Sequence, residues 1–412
     1  MENRTQLRLL LCFRVTRTLA AGLIAVAFPY YVLNRLHYSA FVLGMLYAVA
    51  TLATAGFALA FGYLADIWGR KGTLLITGGL LPIGAFLAFW SGRLDFLFAA
   101  AMLGGFSATG ARASGAAGGA GMAVQSAAIA DLTTIENRTR FFSIFTFLSG
   151  LSGAGGILLA KVLGGRDAFL AAAVISAVGM LFILGIRLPH PQRNRTPAMK
   201  NWKTIGKFSI TGAVNGFSQG LIMPFLIPFF VIVYHLARPR MATYGFIAEL
   251  LSSAALLVAP YIERKIGFVK GVAFTRAAGA ALLLLLPLTR NLPLALAVYL
   301  LTPALRVVAV PAQQTALTAM VRENETGRAL GMSQVARLGA STGAIAFTGY
   351  AFGAEDLAAP FYAYAVVISF SLLLYFRFFG SRPELRPESE RRHSAGTQAA
   401  VDPADISDPP EA

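Results

Sequence analysis

The stretch Gly62-Tyr63-Leu64-Ala65-Asp66-Ile67-Trp68-Gly69-Arg70-Lys71-Gly72-Thr73-Leu74 joins two long apolar runs, at 40–64 and 73–90. A membrane-spanning helix needs about 20 mostly apolar residues, and each run is about that long. The stretch between them carries an acid, two bases and three glycines. It is therefore predicted to be a short charged loop between two membrane helices.

The composition of the whole chain is that of a membrane protein. Of its 412 residues, 56% are hydrophobic and 13% are charged, whereas soluble domains have about 45–50% apolar and about 25% charged residues. This argues against a soluble enzyme. The net charge of +16 would suit nucleic acid only if the bases formed a solvated patch. They lie in short gaps between apolar runs, so we expect the lipid bilayer and no nucleic acid as partner.

Apolar runs of spanning length predict an all-α membrane protein with twelve transmembrane helices. The candidate spans are 9–33, 40–64, 73–90, 96–130, 141–163, 168–186, 208–234, 241–262, 272–288, 292–320, 329–352 and 357–378. The fourth is too long for one plain span and contains the Gly-rich run 104–121. We favour a glycine-broken helix with a short insertion over a flexible hinge beside a cavity.

The distribution of Lys and Arg predicts that both termini are cytoplasmic. Fifteen of these bases lie in the predicted inner loops and six in the outer loops, which follows the positive-inside rule. The predicted organisation is a first six-helix bundle at 1–187, a cytoplasmic central loop at 188–207, a second bundle at 208–379 and a disordered cytoplasmic tail at 380–412.

The chain contains an internal repeat. At a shift of 198 residues from the opening stretch, between spans 8 and 9, stands Pro260-Tyr261-Ile262-Glu263-Arg264-Lys265-Ile266-Gly267-Phe268. Duplicated six-helix halves are the architecture of secondary transporters, which bind solute where the halves meet.

The opening stretch resembles the loop motif G-x-L-x-D-x-x-G-R-K-x-x-L of the major facilitator superfamily, with Ile67 at a usually basic position. The resemblance implies two pseudo-symmetric six-helix bundles and a cytoplasmic conformational latch. The latch residues would be Gly62, Asp66, Gly69, Arg70 and Lys71. A plain positive-inside anchor would explain the two bases, but it would not explain the acid.

The pattern is closest to that of drug and metabolite proton antiporters, with two departures. Ala101 stands where span 4 often carries an arginine, and the Gly-rich run at 150–156 in span 5 lacks the usual proline.

Charges inside spans are hypotheses of function, because each costs roughly 2.5–3.5 kcal/mol on insertion scales. Glu249 lies deep in span 8 with Ser252 and Ser253 on its face, and it is the candidate for proton coupling. A structural ion pair with Arg306 is weighed equally, and the two roles can coexist. Arg276 is expected to snorkel to the headgroups. Snorkelling is also favoured for Arg14 and Arg17, whose alternative is to point into the cavity mouth and attract anions.

Polar stripes on spans 7, 10 and 11 have two interpretations. They line a solute cavity, which we favour, or they hold helices together by hydrogen bonds. The cavity candidates are Arg112, Asn215, Gln219, Arg306, Gln313, Gln334 and Arg337. The candidates for a cytoplasmic gate are Asp131, Arg138, Arg140 and Arg328.

These features favour a secondary active transporter of a small organic solute, working by alternating access and coupled to protons for efflux. One alternative is an organic-anion exchanger or uniporter that uses the intramembrane arginines. Another is a non-transporting membrane sensor or assembly factor on the same fold. We expect a monomer in the plasma (inner) membrane, with no enzymatic activity, cofactor or metal. The proton is the expected coupling ion.

Overall fold

The computed structural model describes residues 2–106, 135–188, 202–320 and 326–379, together with residues 121, 124, 125, 128, 129, 132 and 133. We number its helices by predicted span. They are α1 (Glu2–Tyr30), α2 (Ala40–Trp68), α3 (Arg70–Trp90), α4 (Leu94–Gly104), α5 (Ile135–Leu159), α6 (Arg166–Leu184), α7a (Trp202–Ile222), α7b (Leu226–Tyr234), α8 (Arg238–Ile266), α9 (Phe268–Leu288), α10 (Leu292–Met320), α11 (Thr326–Gly353) and α12 (Ala359–Phe379).

Several of these helices suit a bilayer. Within the described residues, seven segments are long and apolar enough to cross a membrane: Arg4–Arg35, Ala40–Phe61, Arg70–Trp90, Arg166–Leu184, Trp202–Tyr234, Val269–Leu288 and Ala359–Phe379. Large apolar side chains point outward, with exposed fractions of 63% at Leu181, 70% at Val366 and 69% at Leu373. Such surfaces are rare on soluble monomers. The count of twelve spans stays a prediction.

Two predicted spans are interrupted. Helix α4 ends at Gly104 because Gly105 has a left-handed backbone, with φ of 62°, so a break at the start of the Gly-rich run is confirmed. Residues 107–120 of that run lie outside the described part. In span 7, the short 3₁₀ turn Met223–Phe225 separates α7a from α7b. Pro224 in this turn has no N–H to donate.

The repeat is visible in the backbone. Gly69 precedes α3 with φ of 84° and ψ of 155°, and Gly267, 198 residues later, precedes α9 with 78° and 169°. These angles are open to glycine and strained for other residues. In both places the carbonyl oxygen of the glycine accepts a hydrogen bond from the amide four residues on, at 3.3 and 3.0 Å.

A second pair of matching turns follows the first helix of each half. His37 and His235, also 198 residues apart, both have left-handed backbones, with φ of 56° and 47°. The amide of the next residue then donates back into the preceding turn, from Tyr38 to the carbonyl of Val32 at 3.0 Å and from Leu236 to that of Phe230 at 3.2 Å. A left-handed residue with such a closing bond ends a helix, so the repeated halves share this local geometry.

The helices form two sets, α1–α6 and α7a–α12, that meet along two seams. Helix α2 packs against α11, and α5 packs against α8. The largest hydrophobic core contains residues of both sets, among them Phe28, Phe225 and Phe361, whereas a second core around Phe13 and Leu74 belongs to the first set. The sets are therefore joined at the end that carries His37 and His235, which we call the closed end.

Helices α2 and α11 are in backbone contact near the closed end. At Gly44 a Cβ atom would lie 2.4 Å from the Cα of Gly349, which is closer than side chains allow. About three helical turns further along, Gly56 and Gly339 have no described atom within 4 Å of the same position. Gly56 and Gly339 lie on exposed faces of their helices, away from the contact at Gly44 and Gly349.

Helices α1 and α5 are in backbone contact. A Cβ on Gly22 would lie 2.1 Å from the carbonyl oxygen of Gly153, and one on Gly156 would lie 1.9 Å from that of Leu19. Small residues at a membrane helix interface allow this close approach. The contact fixes α1 against α5 within the first set.

Candidate functional site

Three arginines of the second set converge within the helix bundle. They are Arg276 on α9, Arg306 on α10 and Arg337 on α11, and we call them the arginine cluster. The Arg306 guanidinium interacts electrostatically with the guanidinium groups of Arg276 and Arg337. It also interacts with the Tyr364 hydroxyl. The cluster places three like charges among helices of predicted spans.

Arg276 is held by α12. It is buried, with 6% of its surface exposed. Its Nη1 donates to Ser371 Oγ at 2.6 Å and its Nη2 to Tyr375 Oη at 3.3 Å, while the guanidinium lies 4.5 Å from the centroid of the Tyr375 ring. The expectation that Arg276 snorkels to the headgroups is therefore wrong, because internal hydrogen bonds and a cation–π contact replace its hydration.

Arg306 and Arg337 carry N–H groups that make no hydrogen bond with the described residues. Arg306 Nη1, Arg337 Nε and the Oγ of Ser341 are buried and have no hydrogen-bond partner among the described residues. No ion pair between Arg306 and Glu249 is found among the described residues, so the structural pair weighed equally with proton coupling is not formed. Unpaired buried donors are costly, and a bound anion would satisfy them.

A second group of buried bases lies in the first set. Arg14 donates from Nε to Ser149 Oγ at 2.9 Å and from Nη1 to Gln125 Oε1 at 2.8 Å. Arg17 donates from Nη1 to the carbonyl oxygen of Thr77 at 2.6 Å. Both arginines are buried, at 6% and 4% exposed, so the prediction that they snorkel is wrong. Polar groups of neighbouring helices, α3 and α5 among them, hold them inside the bundle.

Glu249 is buried on α8, with 6% of its surface exposed. Ser252, one turn on, is also buried and donates to the carbonyl oxygen of Ala248 at 2.8 Å. Ser253 lies at the α5–α8 seam, where a Cβ on Gly150 would come within 2.6 Å of its Oγ. The predicted proton-coupling residue therefore lies on a helix of that seam.

The polar stripes on α7a and α11 lie beside a close helix contact. A Cβ on Gly216 would lie 1.9 Å from the carbonyl oxygen of Arg337. Asn215, Gln219 and Gln334 are half-buried. The contact between α7a and α11 thus combines tight packing with half-buried amide side chains.

The opening stretch is helical on both sides of Gly69, and its Lys71 contacts the end of α6. Lys71 Nζ donates to the carbonyl oxygen of Leu184, at the end of α6, at 2.8 Å. A cation is favourable at the C-terminus of a helix. Gly62 and Asp66 belong to α2, and the side chain of Asp66 lies outside the described part. Arg70 begins α3 directly after Gly69.

Several candidates lie wholly or partly outside the described residues. Arg112 and Asp131 lie entirely outside the described residues. Four other candidates have a described helical backbone but no described side chain: Gln313, Arg138, Arg140 and Arg328. Within the described part, no group of His, Cys, Asp and Glu could hold a metal ion.

Sequence reasoning missed the polar face of α12. Tyr364, Ser371 and Tyr375 are all buried, and they face Arg306 or Arg276. Their spacing of seven and four residues puts them on one face of a helix. That spacing in an otherwise apolar span is the signal that would have found them.

The chain matches a known family and known structures. The family described as Major Facilitator Superfamily matches residues 10–344, and no curated protein matches the chain by sequence. Among solved structures, a single-residue mutant of the nucleoside transporter NupG is similar with a TM-score of 0.72 and 14% identity, over 91% of this chain and 100% of that chain.

Two further structures show the same fold. The human organic anion transporter MFSD10 (TETRAN) has a TM-score of 0.63 and 14% identity, over 91% of this chain and 100% of that one. A D-xylose-proton symporter has a TM-score of 0.71 and 13% identity, over 92% of this chain and 98% of that one. At these identities the likeness is one of fold.

Proposed function

Because the chain belongs to the major facilitator superfamily, we propose that it is a secondary active transporter of a small organic solute that carries a carboxylate or phosphate group. Family and structural neighbours support membrane transport and indicate a non-enzymatic transporter. In this proposal, the two sets of helices expose the solute site alternately to the two sides of the membrane.

The observation that carries the anionic solute is the arginine cluster. Each charge inside a bilayer costs roughly 2.5–3.5 kcal/mol on insertion scales, so three cost roughly 7.5–10.5 kcal/mol. Arg276 recovers part of this cost through Ser371 and Tyr375, but Arg306 and Arg337 keep buried nitrogens without a described partner. Arg306 and Arg337 are therefore the residues that would bind the anion, with Arg276 beside them.

We further propose that Glu249 couples transport to protons and that the direction is efflux. A buried carboxyl on the α5–α8 seam changes its surroundings when the seam opens, and this can make proton binding depend on conformation. In the same proposal, Asp66, Arg70 and Lys71 form the latch. The protein acts as a monomer in the inner (plasma) membrane with cytoplasmic termini, so the closed end would face outward.

The test is ligand binding and transport by arginine variants. The purified protein is screened by thermal shift against succinate, citrate, benzoate and glycerol phosphate, with glucose and tetraphenylphosphonium as neutral and cationic comparators. The best anion is then followed into proteoliposomes. Arg306→Gln and Arg337→Gln should each weaken anion binding about tenfold or more, because a charge-assisted hydrogen bond is lost. The exposed Arg290→Gln is the matched control.

Several outcomes would contradict the proposal. Selective stabilisation by the cation or by glucose would contradict the anionic class. If Glu249→Gln transports as well as wild type under an imposed pH gradient, the coupling assignment fails while the anion assignment stands. Binding without movement of any solute across the membrane would favour the sensor on the transporter fold.

A further inference from the structure

At the closed end, three arginines from three separate connections line one cavity of about 840 Å³. Arg35 lies in the π-helical turn Tyr31–Arg35 that follows α1, Arg166 begins α6 and Arg238 begins α8. We call this cavity the vestibule. It is separate from the arginine cluster, whose members lie on α9, α10 and α11.

The convergence of these arginines goes against their expected distribution. The positive-inside rule disfavours Lys and Arg in outer loops, and the predicted outer loops carry only six such residues: Arg35, Arg93, Arg166, Arg238, Arg240 and Arg290. Half of them line the vestibule, although they come from connections far apart in sequence. The fold therefore brings together three arginines that are far apart in sequence.

The charge of the vestibule is not internally compensated. Its lining contains one acid, Asp167, which gives a formal balance of three positive charges against one negative. No ion pair involving Arg35, Arg166, Arg238 or Asp167 is found among the described residues, whereas Arg93, outside the cavity, pairs with Asp95 at 3.2 Å. The guanidinium groups of the vestibule can therefore bind an anion without first breaking an ion pair.

The backbone around the vestibule is shaped to hold these side chains. The Arg238 guanidinium lies against Gly164, where a Cβ would lie 1.0 Å from Nη1, so a larger residue at this position would displace the Arg238 side chain. The Tyr30 hydroxyl donates to the carbonyl oxygen of Leu236 and ties the end of α1 to the connection before α8. Arg166 Nε lies 3.5 Å from Tyr31 Oη. The vestibule therefore draws on both sets of helices.

We propose that the vestibule is a second anion-binding site, specific for a phosphate group. Three guanidinium groups, with the amide of Asn34 and the hydroxyl of Tyr31 in the same lining, offer the donors that phosphate oxygens accept. The phosphate has two possible sources, a free phosphate compound or the headgroup of an anionic phospholipid. This site is independent of the solute proposed above.

The experiment uses the full-length protein and the double variant Arg166→Gln/Arg238→Gln. Inorganic phosphate is titrated in phospholipid-free detergent while thermal unfolding is followed. In parallel, native mass spectrometry measures retention of phosphatidylglycerol against phosphatidylethanolamine. Arg290→Gln and Arg240→Gln, at exposed outer arginines that do not line the vestibule, are the controls for loss of an outer charge. Arg166→Lys/Arg238→Lys should partly restore binding, because it keeps the charge.

The expected result is that the double Gln variant loses about tenfold or more in apparent affinity, while both control variants bind as wild type does. Stabilisation by inorganic phosphate identifies a free phosphate compound as the source, and selective retention of phosphatidylglycerol identifies a headgroup.

Three results would overturn the proposal. Wild type could show neither effect, the double Gln variant could bind as tightly as wild type, or Arg290→Gln could weaken binding as much as the double Gln variant does. A failure of transport with vestibule binding intact would count only against the proposed function.

Discussion

The contact between Gly44 and Gly349 predicts that a single methyl group shifts the conformational equilibrium. A Cβ on Gly44 would lie 2.4 Å from the Cα of Gly349, whereas carbon atoms in contact prefer about 3.5–4.0 Å. In Gly44→Ala the α2–α11 seam must therefore widen by about 1.1–1.6 Å at the closed end. Overpacking of this kind costs about 1–3 kcal/mol, which corresponds to about a 5- to 150-fold change in the ratio of two states.

The assay is a pair of distance measurements between spin labels. Cys12, the one native cysteine, is replaced by serine, and labels are placed on exposed Val162 and Arg240 at the closed end. In Gly44→Ala the population with the longer distance between these two labels should rise about 5- to 150-fold relative to the population with the shorter distance. A second label pair at the opposite end, on Leu59 and Met332, should show the reverse change.

The matched control is Gly56→Ala on the same helix, where no described atom lies within 4 Å of the new methyl group. It should leave both distance distributions as they are in the parent protein. The reasoning is refuted if Gly44→Ala leaves the closed-end distribution unchanged, or if Gly56→Ala changes it equally.

Two further predictions concern stability, measured as thermal unfolding in detergent. Gly69→Ala should lower the free energy of unfolding by about 1–3 kcal/mol, because its φ of 84° with ψ of 155° is strained for alanine. The control is Gly72→Ala, where no described atom lies within 4 Å of the new methyl group. Equal losses of stability in the two variants would contradict the argument. Arg276→Gln should lower the unfolding temperature through loss of its bonds to Ser371 and Tyr375, whereas an unchanged temperature would show that these bonds contribute little net stability.

The family and the helical class were predictable from the sequence because they depend on length, apolar content and one short motif. The loop at Asp66 and Gly69 carried the family resemblance, and the family match confirms it. The internal repeat, with its shift of 198 residues, could be recognised in the sequence alone. The structure shows that the repeated glycines at 69 and 267 share one backbone conformation.

The directions of the arginine side chains were not predictable in the same way. Arg14, Arg17 and Arg276 lie within reach of a headgroup by sequence position, so snorkelling was the reasonable expectation. Their burial depends on partners far away in sequence, such as Ser149 for Arg14 and Ser371 for Arg276. A single sequence contains no distances between helices, and the same limit hid the polar face of α12.

The backbone contact between α1 and α5 has a mechanical consequence. No side chains separate these helices at Gly22 and Gly156. When α5 tilts along its boundary with α8, α1 must therefore move together with it. Arg14 lies near the middle of α1, and Tyr31, in the wall of the vestibule, directly follows its end. An anion that binds in the vestibule and favours one tilt would shift the α5–α8 boundary, and the tilt would in turn change the affinity for that anion by the same free energy, since such linkage is reciprocal.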